Sequence, residues 1–236
     1  MTGCPFDLCD GSGFLIDEET NTASDCRCRA GRVARARARS LSGVIPRRYR
    51  LASFDTPPVS DMTGPAPRVV RDFARRIDEH VDAGRGLWIF GGVGTGKTTL
   101  AMIVSRHALE AGRSVAIYSL PRLLAELRRT FDDDAQHSYT ELLDRLATVD
   151  LLHIDDVGAE QSSPWVLEQL YALVNARYEE ERSVILTTNI EQREDLVDQI
   201  GERTVSRLQE MCDLIPLFGD DARATYQAPR PIERAS

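Results

Sequence analysis

The densest chemistry in the chain is the run Gly91-Gly92-Val93-Gly94-Thr95-Gly96-Lys97-Thr98-Thr99. Its spacing matches GxxxxGK[ST], in which glycines let the backbone turn its N–H groups toward phosphates at the start of a helix. The helix N-terminus adds about half a positive charge. Lys97 would pair with the β- and γ-phosphates of a nucleotide, and the Thr98 hydroxyl would ligate Mg²⁺. The competing reading is a glycine-rich strand-to-helix turn. A second group, Asp155-Asp156, ends the run Leu151-Leu152-His153-Ile154. Strand ends in an open parallel sheet face the ligand crevice, so Asp155 can hold Mg²⁺ through water and Asp156 can orient or deprotonate an attacking water. Alone, the two acids would read as a turn; downstream of a phosphate loop they read as a site. Asn189, closing Thr187-Thr188-Asn189, suits hydrogen bonds to the γ-phosphate and the lytic water, or a helix-capping turn. His153, among apolar neighbours, reads as a packed histidine rather than a ligand.

Four of the five cysteines lie in the first 28 residues: Cys4 and Cys9, then Cys26 and Cys28. The overall spacing resembles a zinc ribbon, with residues 11–16 and 23–25 forming a short hairpin between the pairs. Four thiolates would satisfy tetrahedral Zn²⁺, and metal binding would fold a segment with little core of its own. Free thiols in a flexible tail are the alternative, since the spacing departs from paired CxxC.

These groups need elements to hold them. Leu87-Trp88-Ile89-Phe90 is a buried strand entering the phosphate loop, and Leu100, Ile103 and Val104 give the following helix its apolar face. Before it, Val69, Val70, Phe73, Ile77 and Val81 recur at helical spacing up to Gly84. Residues 114–118 form a second strand, followed by a helix after Pro121 and by another that a Ser138/Glu141 capping box starts. Asp132-Asp133-Asp134 reads as a solvated loop. Residues 151–156 form the third strand, Ser163-Pro164 opens a helix, and residues 184–187 form the fourth strand. Residues 194–212 are helical, and residues 214–218 supply a fifth strand, at an edge because Pro216 cannot donate to a ladder.

The chain has 236 residues, 42% hydrophobic and 28% charged, as expected of a soluble globular protein with one medium domain and a small appendage. No stretch reaches the roughly 20 apolar residues of a membrane helix and no signal peptide opens the chain, so a cytoplasmic protein without membrane contact is expected. Residues 1–50 hold nine Arg against six Asp and Glu, a net of +3, within a total of -8. A whole-protein electrostatic grip on nucleic acid is therefore not expected, and any such contact must be local. From Arg27 to Arg50 there are nine arginines and no acid. A helix over residues 30–41 is expected there, serving either as a solvated face or as a surface for an acidic partner or phosphate backbone. The organisation expected is a cysteine module with its Arg-rich helix (1–50), a Pro/Gly-rich linker lying across the core (51–67), a nucleotide-binding core (68–225) and a tail (226–236). Residues 48–54, with Tyr49 and Phe54, could cover a base, although Phe54 suits the core equally.

Taken in order, the phosphate loop, Ile154-Asp155-Asp156-Val157-Gly158, Leu186-Thr187-Thr188-Asn189, Ser206-Arg207-Leu208 and Gly219-Asp220-Asp221-Ala222-Arg223 resemble AAA+ ATPases of the DnaC/DnaI helicase-loader group, related to IstB-type transposition helpers. The resemblance covers about residues 47–225. It implies an α/β P-loop fold with a five-stranded parallel sheet, order 5-1-4-3-2, and helices on both faces. It makes Lys97 and Thr98 Walker A, Asp155 and Asp156 Walker B, and Asn189 sensor 1. Arg207 is then the arginine finger reaching a neighbouring subunit's ATP, with Arg203 as its rival, and Arg223 a sensor-2-like arginine. Asp-Asp in place of Asp-Glu implies slow, regulated hydrolysis. The 18 residues after Phe218 are too few for a helical lid. The implied cofactors are ATP, Mg²⁺ and Zn²⁺. The implied partners are a replicative hexameric helicase bound through residues 1–50, single-stranded DNA, for which the helix with Arg122, Arg128 and Arg129 is a candidate against its reading as a solvated helix, and further copies of the chain. Two other readings stand beside the loader: a transposition helper ATPase, and a zinc-dependent adaptor whose nucleotide site is a switch with little turnover.

Overall fold

The computed structural model describes residues 4–17, 22–29, 31, 45–131, 138–158 and 162–219. The expected helix over 30–41, the Asp132-Asp133-Asp134 loop and Arg223 lie outside these residues.

The amino-terminal hairpin is β1 (Phe14–Asp17) antiparallel to β2 (Thr22–Asp25). The core then runs α1 (Ala66–Arg75), α2 (Ile77–Asp82), β3 (Gly86–Phe90), α3 (Lys97–Glu110), β4 (Val115–Ser119), α4 (Leu120–Arg129), α5 (Tyr139–Thr148), β5 (Leu151–Val157), α6 (Pro164–Glu179), β6 (Ser183–Thr188), α7 (Arg193–Ile200), α8 (Glu202–Met211) and β7 (Cys212–Pro216). The five core strands are all parallel and lie side by side as β4-β5-β6-β3-β7. Numbered within the core this is 5-1-4-3-2, the expected order.

Both faces of the sheet are covered, so its strands are apolar almost throughout. Alternate residues feed opposite layers. Leu87, Ile89, Leu151 and Ile185 pack with Val70, Phe73, Leu100 and Ile103 of α1 and α3. Trp88, Leu152, Ile154 and Leu186 pack with Leu123, Leu146, Leu170, Val205 and Leu208 of α4, α5, α6 and α8. β7 is an edge strand, as Pro216 requires.

Three element boundaries differ from expectation. The helix expected up to Gly84 is broken at Arg76, which leaves the helical region at φ -106°, ψ 31°. The break turns α2 so that His80 stacks on Phe73 with ring centroids 4.0 Å apart. The helix expected over 194–212 is two helices, because Gly201 takes φ 85° and ends α7. The last strand starts two residues earlier than expected, at Cys212, and ends at Pro216. The Ser138/Glu141 capping box forms as expected, with Glu141 N donating to Ser138 Oγ at 3.2 Å and Ser138 N to Glu141 Oε2 at 2.9 Å. Residues 52–62 lie against the core: Phe54 and Val59 are buried with α1 and α3, and Met62 packs beside them.

Candidate nucleotide site

The carboxyl ends of β3, β5 and β6 open onto a cleft of about 610 Å³ lined by Gly94, Gly96, Lys97, Thr98, Thr99, Asp155, Asp156, Thr187 and Asn189 on one side. Arg48, Tyr49, Leu51, Ala52, Pro57, Pro58 and Val93 complete it. Gly91, Gly92 and Thr95 build the loop behind this lining. Two glycines are dictated by the backbone. Gly91 has φ 143°, and a Cβ there would lie 2.1 Å from Leu217 O; Gly96 has φ 96°, and a Cβ would lie 2.1 Å from the Met62 methyl. Lys97, starting α3, donates from Nζ to the carbonyls of Gly91 (2.8 Å) and Gly92 (2.6 Å). Thr95 Oγ1 donates to Gly92 O at 3.0 Å.

Adjacent residues of a regular strand point to opposite faces, yet Asp155 and Asp156 both line the cleft. The reason is a bulge. Ile154 pairs with Leu186 and Val157 with Thr188, so β5 spends one more residue than β6 over this interval. Asp156 takes φ 60°, a left-handed conformation that aspartate tolerates better than most residues. Thr187 locks the bulge: Asp156 N donates to its Oγ1 (2.8 Å), and that hydroxyl donates to Asp155 Oδ1 (2.6 Å). Thr98 Oγ1 donates to the same oxygen at 2.9 Å, and Asn189 Nδ2 donates to Asp156 Oδ1 at 2.9 Å. The two motifs and Asn189 thus form one hydrogen-bonded chain. Burial alone would raise the Asp155 carboxyl, but His153 and the hydroxyls of Thr187 and Thr98 outweigh it and hold it below its ordinary value. Hard oxygen donors at Thr98 and Asp155 fit Mg²⁺, which takes a hydroxyl and carboxylates alongside phosphates.

Tyr49, but not Phe54, reaches the cleft; Phe54 is core. Arg207 and Arg203 do not line it. Arg207 lies on α8 with its guanidinium 5.0 Å from the ring centroid of Tyr171 and 5.4 Å from that of Tyr178, both on α6. Tyr178 donates its hydroxyl to Glu210 Oε2 at 2.7 Å. Arg203 is exposed. Sequence reasoning did not find Thr187 as the bridge between the two carboxylates, nor the tyrosine pair around Arg207. The signal for Thr187 was its place between an apolar strand and Asn189.

The four amino-terminal cysteines form a second site. Their sulfurs all lie within 4.8 Å of one another, with Cys4 to Cys26 at 3.7 Å and Cys9 to Cys28 at 3.5 Å. A tetrahedron of thiolates around Zn²⁺ with bonds of ≈ 2.3 Å has edges of about 3.8 Å, so the donor set fits that ion. Burial raises Cys4, but hydrogen bonds from the backbone of Leu8, Phe6 and Cys9 bring it down to about 6. Burial and the neighbouring thiols push Cys28 up to about 12. One thiolate therefore comes at the expense of another, a conflict that a bound cation removes.

The model of the IstB-like ATP binding protein family matches residues 21–226. Among curated relatives, the replicative helicase loader DnaC of Buchnera aphidicola subsp. Schizaphis graminum is 29% identical over 143 residues, 60% of this chain and 58% of its own. The DnaC of Escherichia coli strain K12 is 30% identical over 150 residues, 63% of this chain and 60% of its own. The chain thus spans about three-fifths of the length of these relatives. A crystal structure of the DnaC helicase loader superposes with a TM-score of 0.64 at 27% identity, covering 73% of this chain and all of that one. The family match takes in the phosphate loop, the paired carboxylates and Asn189, and the chain belongs to the IstB-like ATP binding protein family.

Proposed function

We propose that this protein is an ATP-dependent loader of a replicative hexameric DNA helicase onto single-stranded DNA. The observation that carries this reading is the match over the ATPase core to curated DnaC loaders and to a solved DnaC structure covered in full. In the proposed mechanism, Lys97 leaves the loop carbonyls for the β- and γ-phosphates of ATP, and backbone N–H groups of residues 92–98 surround them. Mg²⁺, when bound, would neutralise phosphate charge. Thr98 and Asp155 would hold it, and Thr98 and Thr187 fix the Asp155 carboxylate through Oδ1. Asp156 and Asn189, already paired, position the attacking water. Aspartate reaches less far than the glutamate of most AAA+ sites, which suits slow, regulated turnover. Arg207, outside its own cleft, completes the site of a neighbouring copy, and the sequence run Gly219-Asp220-Asp221-Ala222-Arg223 offers Arg223 as a sensor-2-like arginine.

The four cysteines hold Zn²⁺, and their module binds the helicase; its exposed Phe6, Leu8 and Ile16 offer the apolar surface for this. Single-stranded DNA runs over α4, where Arg122, Arg128 and Arg129 are exposed and Arg128 lies 4.7 Å over the Trp165 ring. The test is deposition of the purified hexameric helicase on circular single-stranded DNA by this chain. Loading that needs ATP and the chain supports the reading; helicase left in solution with both present contradicts it. The family match favours a second reading, a transposition helper acting with a transposase on double-stranded DNA. A transposase as the tighter partner selects it. ATP bound without turnover, with or without single-stranded DNA, selects a nucleotide-gated adaptor instead.

A further inference from the structure

The middle of β5 holds a histidine where its register partners on both sides, Ile117 and Ile185, are apolar. His153 is fully buried, a costly place for an imidazole unless its nitrogens are engaged. Strand alternation puts it on the same face of β5 as Asp155, under α3. Its Nδ1 lies 2.9 Å from Ser105 Oγ of α3, a side chain that is itself fully buried and also lies 3.0 Å from Ala101 O. Its Nε2 has no hydrogen-bond partner among the described residues and faces Asp155 Oδ1 at 3.9 Å.

Ser105 has a single hydroxyl proton. If it goes to Ala101 O, the neutral imidazole must carry its proton on Nδ1, leaving a bare Nε2 lone pair against a carboxylate. If it goes to Nδ1, the imidazole proton sits on Nε2 and faces Asp155. For a neutral ring only the second arrangement is attractive at the carboxylate; it gives up the Ser105–Ala101 hydrogen bond for one to Nδ1 and turns Nε2–H toward Asp155. The remaining partners of Asp155 Oδ1, Thr98 and Thr187, both line the cleft, whereas His153 and Ser105 do not. The imidazole therefore approaches the carboxylate from the protein side.

We propose that His153 is a positioning residue for Asp155: Ser105 fixes its tautomer, and Nε2–H, facing Oδ1 at 3.9 Å, favours one orientation of the carboxylate by charge–dipole attraction. This rests on the reading of Asp155 as the carboxylate that holds Mg²⁺. Support behind a ligand, without contact to the metal, acts on metal affinity more than on nucleotide contacts.

The experiment measures binding of a fluorescent ATP analogue to the full chain with and without Mg²⁺, and titrates Mg²⁺ at fixed analogue. His153→Leu is expected to leave metal-free binding near that of the parent chain and to raise the Mg²⁺ concentration at half-effect about tenfold, with His153→Gln recovering part of the loss through its amide. Ser105→Ala, which removes only a hydroxyl, is expected to shift the same midpoint about threefold and carries the test should His153→Leu not fold. An unchanged midpoint in folded His153→Leu or in Ser105→Ala overturns the proposal while leaving the nucleotide site intact. A parent chain whose binding ignores Mg²⁺ overturns both this proposal and the metal role of Asp155.

Discussion

At the residue scale, the nucleotide site depends on a departure from regular strand geometry. Asp155 and Asp156 can share a cleft only because the β5 bulge, closed by Thr187, turns both the same way. Their roles should therefore separate on mutation. Asp156→Asn is expected to keep ATP binding and to lower the hydrolysis rate about a hundredfold or more, as loss of a general base does, measured by phosphate release. Gly96→Ala is expected to weaken nucleotide binding about tenfold in a fluorescence titration, since φ 96° is strained for any Cβ, while the Met62 methyl is the end of a flexible side chain that can turn aside. The phosphate loop was legible in sequence because its spacing names its chemistry, and the acid pair and Asn189 only because they follow that loop in order. The bulge was not, because no residue pattern distinguishes a strand that ends in two acids from one that kinks between them. His153 was legible as packed, and only its distance to Asp155 gives it a further role.

At the element scale, two arginines on or beside α6 show how the layers are tied. Arg177 is fully buried, and among the described residues no carboxylate is hydrogen-bonded to it; its guanidinium donates to the carbonyls of Leu146 (2.6 Å), Ala147 (3.2 Å), Asp150 (3.3 Å) and Ser183 (2.6 Å). It stitches the end of α5 to the starts of β5 and β6, and burial, helped by Arg182, lowers its pKa to about 9. Arg177→Met leaves those buried carbonyls unpaired and is expected to cost about 3 kcal/mol or more of stability, read from urea unfolding. Arg207 rests against Tyr171 and Tyr178, both of α6. Arg207→Ala is expected to lower hydrolysis in the assembled state while leaving ATP affinity within about twofold, because an arginine supplied in trans acts on the transition state. Equal loss of both would assign Arg207 to packing. Apolar runs made the strands legible, but the helix breaks at Arg76 and Gly201 were not, since apolar periodicity continues across both positions.

At the scale of the whole molecule, a parallel sheet with its crevice at the strand ends accounts for the nucleotide site, and among the described residues the buried cluster of the amino-terminal hairpin is made by its cysteines. The sheet order followed from resemblance rather than from any residue pattern. Chelation is expected to unfold residues 4–29, seen as loss of dispersed amide resonances, while thermal unfolding of the core stays unchanged. As proposed, the cysteine module brings a replicative helicase to an ATP-driven core. This role is tested most directly by pull-down of the hexameric helicase with the full chain, repeated after zinc removal. A complex is expected before removal and none after it. Capture that persists without zinc would contradict the role given to the module, and no capture in either state would contradict the loader itself.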